Sequence, residues 1–324
     1  MSITIKAQRE NILWVKEAGF MNANKKSRWF YFKKNLPLTV MALPGVVLMV
    51  LFKYLPLSGI ILAFKKYNIR DGIFGSAWNG LKNFEYLFKT KDAWIITRNT
   101  LGYNLLFIAL DLVLAVTMAI VLNELHQKKT AKVFQTVFMA PYFLSWVVVS
   151  FIAYSFLSVD NGFINRTFGT EITWYSQKSA WPFILIIFQV WKTLGYSTVM
   201  YLGSIVGISN DYYEAALMDG ATKWQQIKYI TLPSLKSMMI VLTILAIGKI
   251  FYADFGLFYQ LPRNSGPLFP VTNVIDTYVY RSLKENGNIG MAAAANLYQS
   301  LIGFVLVLSS NFAVRKIDKD SALF

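Results

Sequence analysis

The sequence predicts an all-α membrane protein of six transmembrane helices with both termini on the cytoplasmic side. Three observations carry that expectation. The 324 residues are 55% hydrophobic and only 15% charged, with a mean hydropathy of +0.43, whereas a soluble domain carries about a quarter charged residues. Six apolar runs reach the roughly 20 residues that a helix needs to cross a bilayer, and none alternates as a strand would. The basic residues sit beside these runs, where membrane orientation requires them.

The runs lie at 38–64, 100–123, 133–157, 180–207, 236–259 and 291–314. They form one permease-sized domain over 38–316, between a basic segment over 1–37 and a tail over 317–324. The first run contains Pro44 and Pro56, the third contains Pro141 and the fourth opens at Pro182. Proline removes a backbone donor and crowds the preceding turn; in lipid such breaks persist where neighbours or a cavity satisfy the freed groups. With the N-terminus inside, the interior segments 1–37, 124–132, 208–235 and 315–324 hold 8, 3, 2 and 3 Lys/Arg. The exterior segments 65–99, 158–179 and 260–290 hold 7, 2 and 3. The bias favours an N-in, C-in topology through residues such as Lys128, Lys129, Lys132, Arg315 and Lys316, and the seven cations of 65–99 run against it. In the first 35 residues Trp14, Phe20, Trp29, Tyr31 and Phe32 alternate with lysines. That pattern is expected to anchor on anionic lipid headgroups.

Several chemistries are excluded. No cysteine is present and His126 is the single histidine, so thiolate sites, disulfides and histidine metal clusters are ruled out. The net charge of +15 flanks spans and lines no amphipathic stripe, which points to membrane lipid and away from nucleic acid. No small-residue cleavage site follows the first apolar run, so no cleavable signal is expected. The chain has no G-x-x-x-x-G-K-[ST] phosphate loop, so ATP and its magnesium belong to another polypeptide.

Between the fourth and fifth runs, residues 208–235 form a polar island. Asp211 and Glu214 have the spacing of a capping box, which predicts a short helix through Glu214-Ala215-Ala216-Leu217-Met218. Its small alanines allow another surface to approach closely. Gly220, after Asp219, is suited to the left-handed conformation that ends a helix. A second helix is expected from Ala221 through Ile230, and Pro233, after Leu232, is expected to mark entry into the fifth span.

The spacing E-A-A-x3-G-x9-I-x-L-P, carried by Glu214, Ala215, Ala216, Gly220, Ile230, Leu232 and Pro233, resembles the cytoplasmic coupling loop of ABC importer permeases. Other segments resemble the maltose-type carbohydrate branch: Trp78-Asn79-Gly80-Leu81-Lys82-Asn83-Phe84 after the first span, Asn161-Gly162-Phe163-Ile164-Asn165 after the third, and Ala292, Ala294, Gln299, Ser300 and Asn311 in the last. The likeness covers about 38–316. Ala63-Phe64-Lys65-Lys66-Tyr67-Asn68 and Trp191-Lys192 with Gly195-Tyr196 are most similar to the subgroup importing acidic or complex oligosaccharides, where the larger permease of alginate importers is the nearest likeness.

The resemblance implies an ABC permease fold in the bacterial cytoplasmic (inner) membrane. It also implies a coupling helix at Glu214, Ala215, Ala216, Asp219, Gly220 and Ala221, with Ile230, Leu232 and Pro233 following. The implied partners are a second, non-identical permease, two ATP-binding subunits and a periplasmic or extracellular solute-binding protein that delivers an oligosaccharide. Close packing through Ala292 to Ala295 is expected between the permeases. In such permeases the sugar path runs through the spans flanking the coupling loop. Ionisable groups within spans cost several kcal/mol, roughly 2.5–3.5 at the centre; here they are Lys53, Asp111, Lys192, Lys249 and Asp254. Lys192 and Tyr196 share a helical face, as do Ile250 and Asp254, while Lys249 and Asp254 do not. A lysine suits a uronate carboxylate, and a Lys–Asp pair that only packs the bundle explains the same residues. Three alternatives compete: a neutral oligosaccharide as substrate, an ion-coupled secondary transporter, and a membrane enzyme. The second lacks inverted repeats and the third lacks converging carboxylates.

Overall fold

The computed structural model describes residues 35–125 and 127–317. All but the inner ends of the N-terminal anchor (1–37) and the tail (317–324), and His126, therefore lie outside the described residues. The chain divides into two units, Met1–Gly59 and Ile60–Phe324.

In the first unit, α1 (Leu36–Met49) starts with a proline in its first turn and runs straight through Pro44. A π-helical turn follows at Val50–Tyr54 and a 3-10 segment at Leu55–Phe64. Pro56, which has no N–H to donate, falls where the winding tightens. Every side chain from 35 to 58 is exposed, as expected of a span whose apolar surface is turned to lipid or to another subunit.

In the second unit, α2 (Lys91–Glu124) and α5 (Trp181–Val206) pack side by side as the central pair. Helix α2 begins well before the expected residue 100, because the Thr90 hydroxyl accepts from Ala93 N at 3.1 Å and caps it. α7 (Leu232–Gly248) packs on α9 (Ile289–Ile317), and α8 (Ile275–Asn286) lies against the start of α9. The interior ends of α2, α5 and α7 meet in a cluster of Ala115, Val116, Ala119, Tyr201, Ile205 and Leu235. Ala295 packs with Ile96, Ile250, Phe251 and Ile275, and Ala292 and Ala294 are also buried within this chain. Ala292, Ala294 and Ala295 thus serve internal packing, which corrects their expected place in a permease–permease contact.

Five helices are long and apolar enough to cross a membrane: Leu36–Phe64, Asp92–Glu124, Trp181–Val206, Lys223–Gly248 and Ile289–Lys316. The third expected span is a broken pair, Lys129–Phe143 and Trp146–Leu157, bent by 99°. We label its halves α3 (Lys128–Met139, continued by a 3-10 turn at Ala140–Phe143) and α4 (Trp146–Leu157). The fifth span is shifted toward the N-terminus. It starts at Lys223 and stops at Gly248, so Pro233 lies inside a continuous helix and not at its entry. A π-helical turn at Ile227–Thr231 directly precedes that proline and gives its ring room in the helical ladder.

Candidate functional site

Residues 209–222 fold into α6 (Asn210–Met218) and a tight turn. Ser209 is the N-cap, its hydroxyl accepting from Asp211 N at 3.3 Å, so the expected Asp211–Glu214 capping box is absent. The capping box lies one turn later: Thr222 Oγ1 accepts from Gln225 N at 3.4 Å while Gln225 Oε1 accepts from Thr222 N at 2.7 Å. Gly220 has φ +76°. Ala221 N donates to Ala216 O at 2.9 Å and Gly220 N to Leu217 O at 3.0 Å, the paired bonds of a Schellman end.

The helix is capped by its own residues at both ends and leaves its outer face unused. Met218 is 89% exposed, and Glu214, Ala215, Asp219, Gly220, Tyr212 and Leu217 are exposed with it. Ala216 and Ala221 are half-buried. Two contacts tie α6 and its turn to the spans. Tyr213 Oη and Thr231 Oγ1 lie 2.9 Å apart, and Lys223 pairs with Glu124 of α2 at 3.1 Å. Farther on, Ile230 and Leu232 are half-buried and Leu232 packs into the interior cluster, while Pro233 is exposed. Ile230 and Leu232 therefore hold the span helix in place, and the exposed surface lies on α6.

The second site is built on the two interrupted helices. At the α3–α4 break, Pro141 supplies no donor and Ser145 caps α4 by accepting from Val148 N at 3.3 Å. Three carbonyls around the break accept from one side chain, and one of them, Pro141 O, also accepts from Leu144 N at 3.1 Å. Lys192 Nζ donates to Pro141 O at 3.3 Å, Tyr142 O at 2.9 Å and Leu144 O at 2.5 Å. The ammonium also lies over the Trp146 ring, 5.4 Å from its centroid, and Lys192 is only 8% exposed. Gly195 permits the approach, since a Cβ there would come within 2.0 Å of Phe138 O.

The fifth span ends at Gly248, and residues 249–254 leave the α-helix, first through turn bonds from Lys249 N to Ala246 O, Ile250 N to Ile247 O and Tyr252 N to Lys249 O. Asn104 Nδ2 donates to Ile250 O (2.7 Å) and Tyr252 O (3.0 Å), and Gln299 Nε2 donates to Phe251 O (2.6 Å). The Asp276 carboxylate accepts from Ala253 N at 2.8 Å. Burial raises that carboxyl above the usual range, partly offset by the bonds from Ala253 and Gln299. Asp254 accepts from Trp146 Nε1 at 2.7 Å and caps the next turn through Gly256 N at 2.8 Å.

The candidate pathway residues therefore separate. Lys192 and Asp254 both contact Trp146, the ammonium over its ring and the carboxylate at its Nε1. Tyr196 stacks on Tyr142, 4.6 Å apart and 11° from parallel. Ile250 is buried with Ile96 and Phe251, away from them. Lys249 is exposed just past the helix end. Ile250 and Asp254 do not share a helical face, because that stretch is not helix.

Beside Tyr196 lies a cavity of about 300 Å³ lined by Asp111, Tyr142, Gln189, Thr193 and Ser197, with apolar walls from Phe107 and Ala246 among others. Asp111 is hydrogen-bonded to Ser197, not to a lysine from another span. Gln189 Oε1 is buried without a partner. Gln189, Thr193 and Ser197 recur at four-residue spacing on α5, a polar stripe that was readable in the sequence.

Most of the chain is similar to known proteins. Residues 111–319 match the family model of the binding-protein-dependent transport system inner membrane component. Protein LplB of Bacillus subtilis is 31% identical over 94% of each chain. The polygalacturonan/rhamnogalacturonan transport system permease YteP of the same species is 36% identical, over 87% of this chain and 89% of its own length. A chain from the crystal structure of a bacterial ABC transporter involved in the import of the acidic polysaccharide alginate superposes with a TM-score of 0.81. It is 28% identical and spans 90% of this chain and 99% of its own. The chain belongs to the family of binding-protein-dependent transport system inner membrane components.

Proposed function

We propose that this chain forms, with a second permease, the membrane pathway of an ATP-driven importer of uronate-containing oligosaccharides. ATP-binding subunits dock on α6. The single observation that carries the docking reading is a helix end-capped by its own residues, clipped to α2 and α7, and presenting Met218 at 89% exposure. A helix surface of that kind gains from being covered. Because Tyr213 and Lys223 tie α6 and its turn to the spans, displacement of α6 by a closing ATPase pair moves α2 and α7 with it.

The sugar reading rests on the cavity beside Tyr196. Two stacked tyrosines offer a ring face, and Gln189, Thr193, Ser197 and Asp111 offer hydrogen bonds to hydroxyls. Lys192 takes no part in selecting acidic sugars, since its ammonium is consumed by three carbonyls of the break. The acidic class is supported instead by the relatives: YteP is a polygalacturonan and rhamnogalacturonan permease, and a 29% identical chain (TM-score 0.81) comes from an alginate transporter bound to an alginate pentasaccharide-loaded periplasmic protein.

The test is ATP hydrolysis by the purified assembly, with its binding protein, against neutral and uronate oligosaccharides. Stimulation by uronate oligomers and its loss in Glu214→Lys and Gly220→Leu, with membrane insertion intact, is expected. Normal stimulation in those variants would remove α6 from coupling. Stimulation by neutral sugars alone would keep the permease and discard the acidic substrate.

A further inference from the structure

We propose that a groove at the exterior ends of the first and last spans binds the phosphate headgroup of an anionic phospholipid in the outer leaflet. Two adjoining cavities, of about 750 Å³ and 430 Å³, share Lys66, Tyr67, Gly287 and Ile289. Depth follows from the helices. Phe64 is the last residue of the first span and Ile289 opens the last one, so the groove lies where hydrocarbon gives way to headgroups.

The groove wall is built, not merely exposed. Lys65 is 4% exposed and its Nζ donates to Ile73 O at 3.1 Å and Phe74 O at 2.5 Å, above the Trp78 ring. Asn83 Nδ2 donates to Ala63 O and Lys65 O, both at 2.9 Å. Ser76 Oγ accepts from Asn68 N at 3.0 Å.

With Lys65 thus committed, the neighbouring Lys66 and Arg70 stay exposed and unpaired. The ion pairs among the described residues are Lys89–Glu85 and Lys223–Glu124. The carboxylate beside them, Asp71, accepts from Asn68 Nδ2 at 2.8 Å. Around the two cations the same loop exposes Ile69 (84%), Phe74 (74%) and Trp78 (71%). Cations at headgroup level beside large apolar side chains fit a phosphodiester with its acyl chains. A soluble uronate would satisfy Lys66 and Arg70 but leave Ile69, Phe74 and Trp78 in water. The groove also shares no lining residue with the polar cavity between α2 and α5.

The experiment is native mass spectrometry of the detergent-purified assembly titrated with phosphatidylglycerol, phosphatidylcholine and trigalacturonate. Wild type is expected to retain phosphatidylglycerol about tenfold over phosphatidylcholine. Lys66→Gln/Arg70→Gln should lose that preference and Lys66→Arg/Arg70→Lys restore it, with Tm in lipid-free detergent unchanged. Should the double variant lose Tm, Arg70→Gln alone, whose side chain makes no described hydrogen bond, carries the same comparison. Equal retention of the two lipids, or a preference that survives in the variants, overturns the proposal. So does trigalacturonate binding that depends on Lys66 and Arg70 where lipid binding does not, which would make the groove a sugar-docking site.

Discussion

Helix α6 and the broken third span both interrupt the run of long helices with a turn, yet they satisfy their backbones in opposite ways. In α6 the backbone is closed by Ser209, Gly220 and Ala221, and the side chains that remain, Met218 and Leu217 above all, point outward. At the α3–α4 break the backbone is open, and a buried lysine from another helix closes it. One region is satisfied within itself and waits for a partner. The other is completed by tertiary contact, and the lysine that completes it has nothing left to offer a ligand. An ionisable residue within a span is therefore not a substrate residue by default; what its hydrogen bonds already hold decides.

That contrast can be broken by substitution. The largest effect is expected from Lys192→Met, which takes the side-chain donor from Tyr142 O and Leu144 O and should cost about 3 kcal/mol of stability. Thermal unfolding in detergent would register it as a lowered Tm, and an unchanged Tm would mean that something other than Lys192 holds the break. Met218→Asp is expected to do the reverse. At so exposed a position its stability effect should stay within about 0.5 kcal/mol, while co-purification of the ATPase should fall sharply. Retained co-purification would move the docking surface elsewhere.

Trp146→Phe sharpens the inner half of the comparison. It keeps a ring beneath Lys192 but removes the Nε1 donor to Asp254, for an expected loss of about 1 kcal/mol. A loss as large as that of Lys192→Met would mean that the α4–Asp254 contact and the carbonyl lock act as one unit. The smallest effect is expected from Lys223→Gln. Its pair with Glu124 has the lysine 66% and the glutamate 34% exposed, so about 0.5 kcal/mol of stability is at stake. Any large drop in stimulated ATP hydrolysis in this variant would show that the pair transmits motion.

The loop between the fourth and fifth spans was legible because its signals are local: Gly220 in the left-handed region, alanines on one helix, and a fixed distance to Pro233. Even there the caps were misplaced, since Ser209 and Asp211 both suit an N-cap and only the backbone geometry chose between them. The span breaks were not legible, because hydropathy counts side chains and does not register an interrupted ladder. Pro141 and Ser145 marked the first break weakly. The end of the fifth span carries Gly248 as its one local signal, and it depends on Asn104, Gln299 and Asp276 from three other elements.

What the sequence by itself determined is the all-helical membrane class, the placement of the spans to within a few turns, and the position of the short helix α6. Each follows from composition or from interactions within about four residues. Only the tertiary structure decided that Lys192 serves a helix break, that Ile250 and Asp254 part ways, and that Tyr142, Tyr196, Gln189 and Asp111 share one cavity. In a membrane every freed backbone group must find a partner, and that partner lies tens of residues away in the chain.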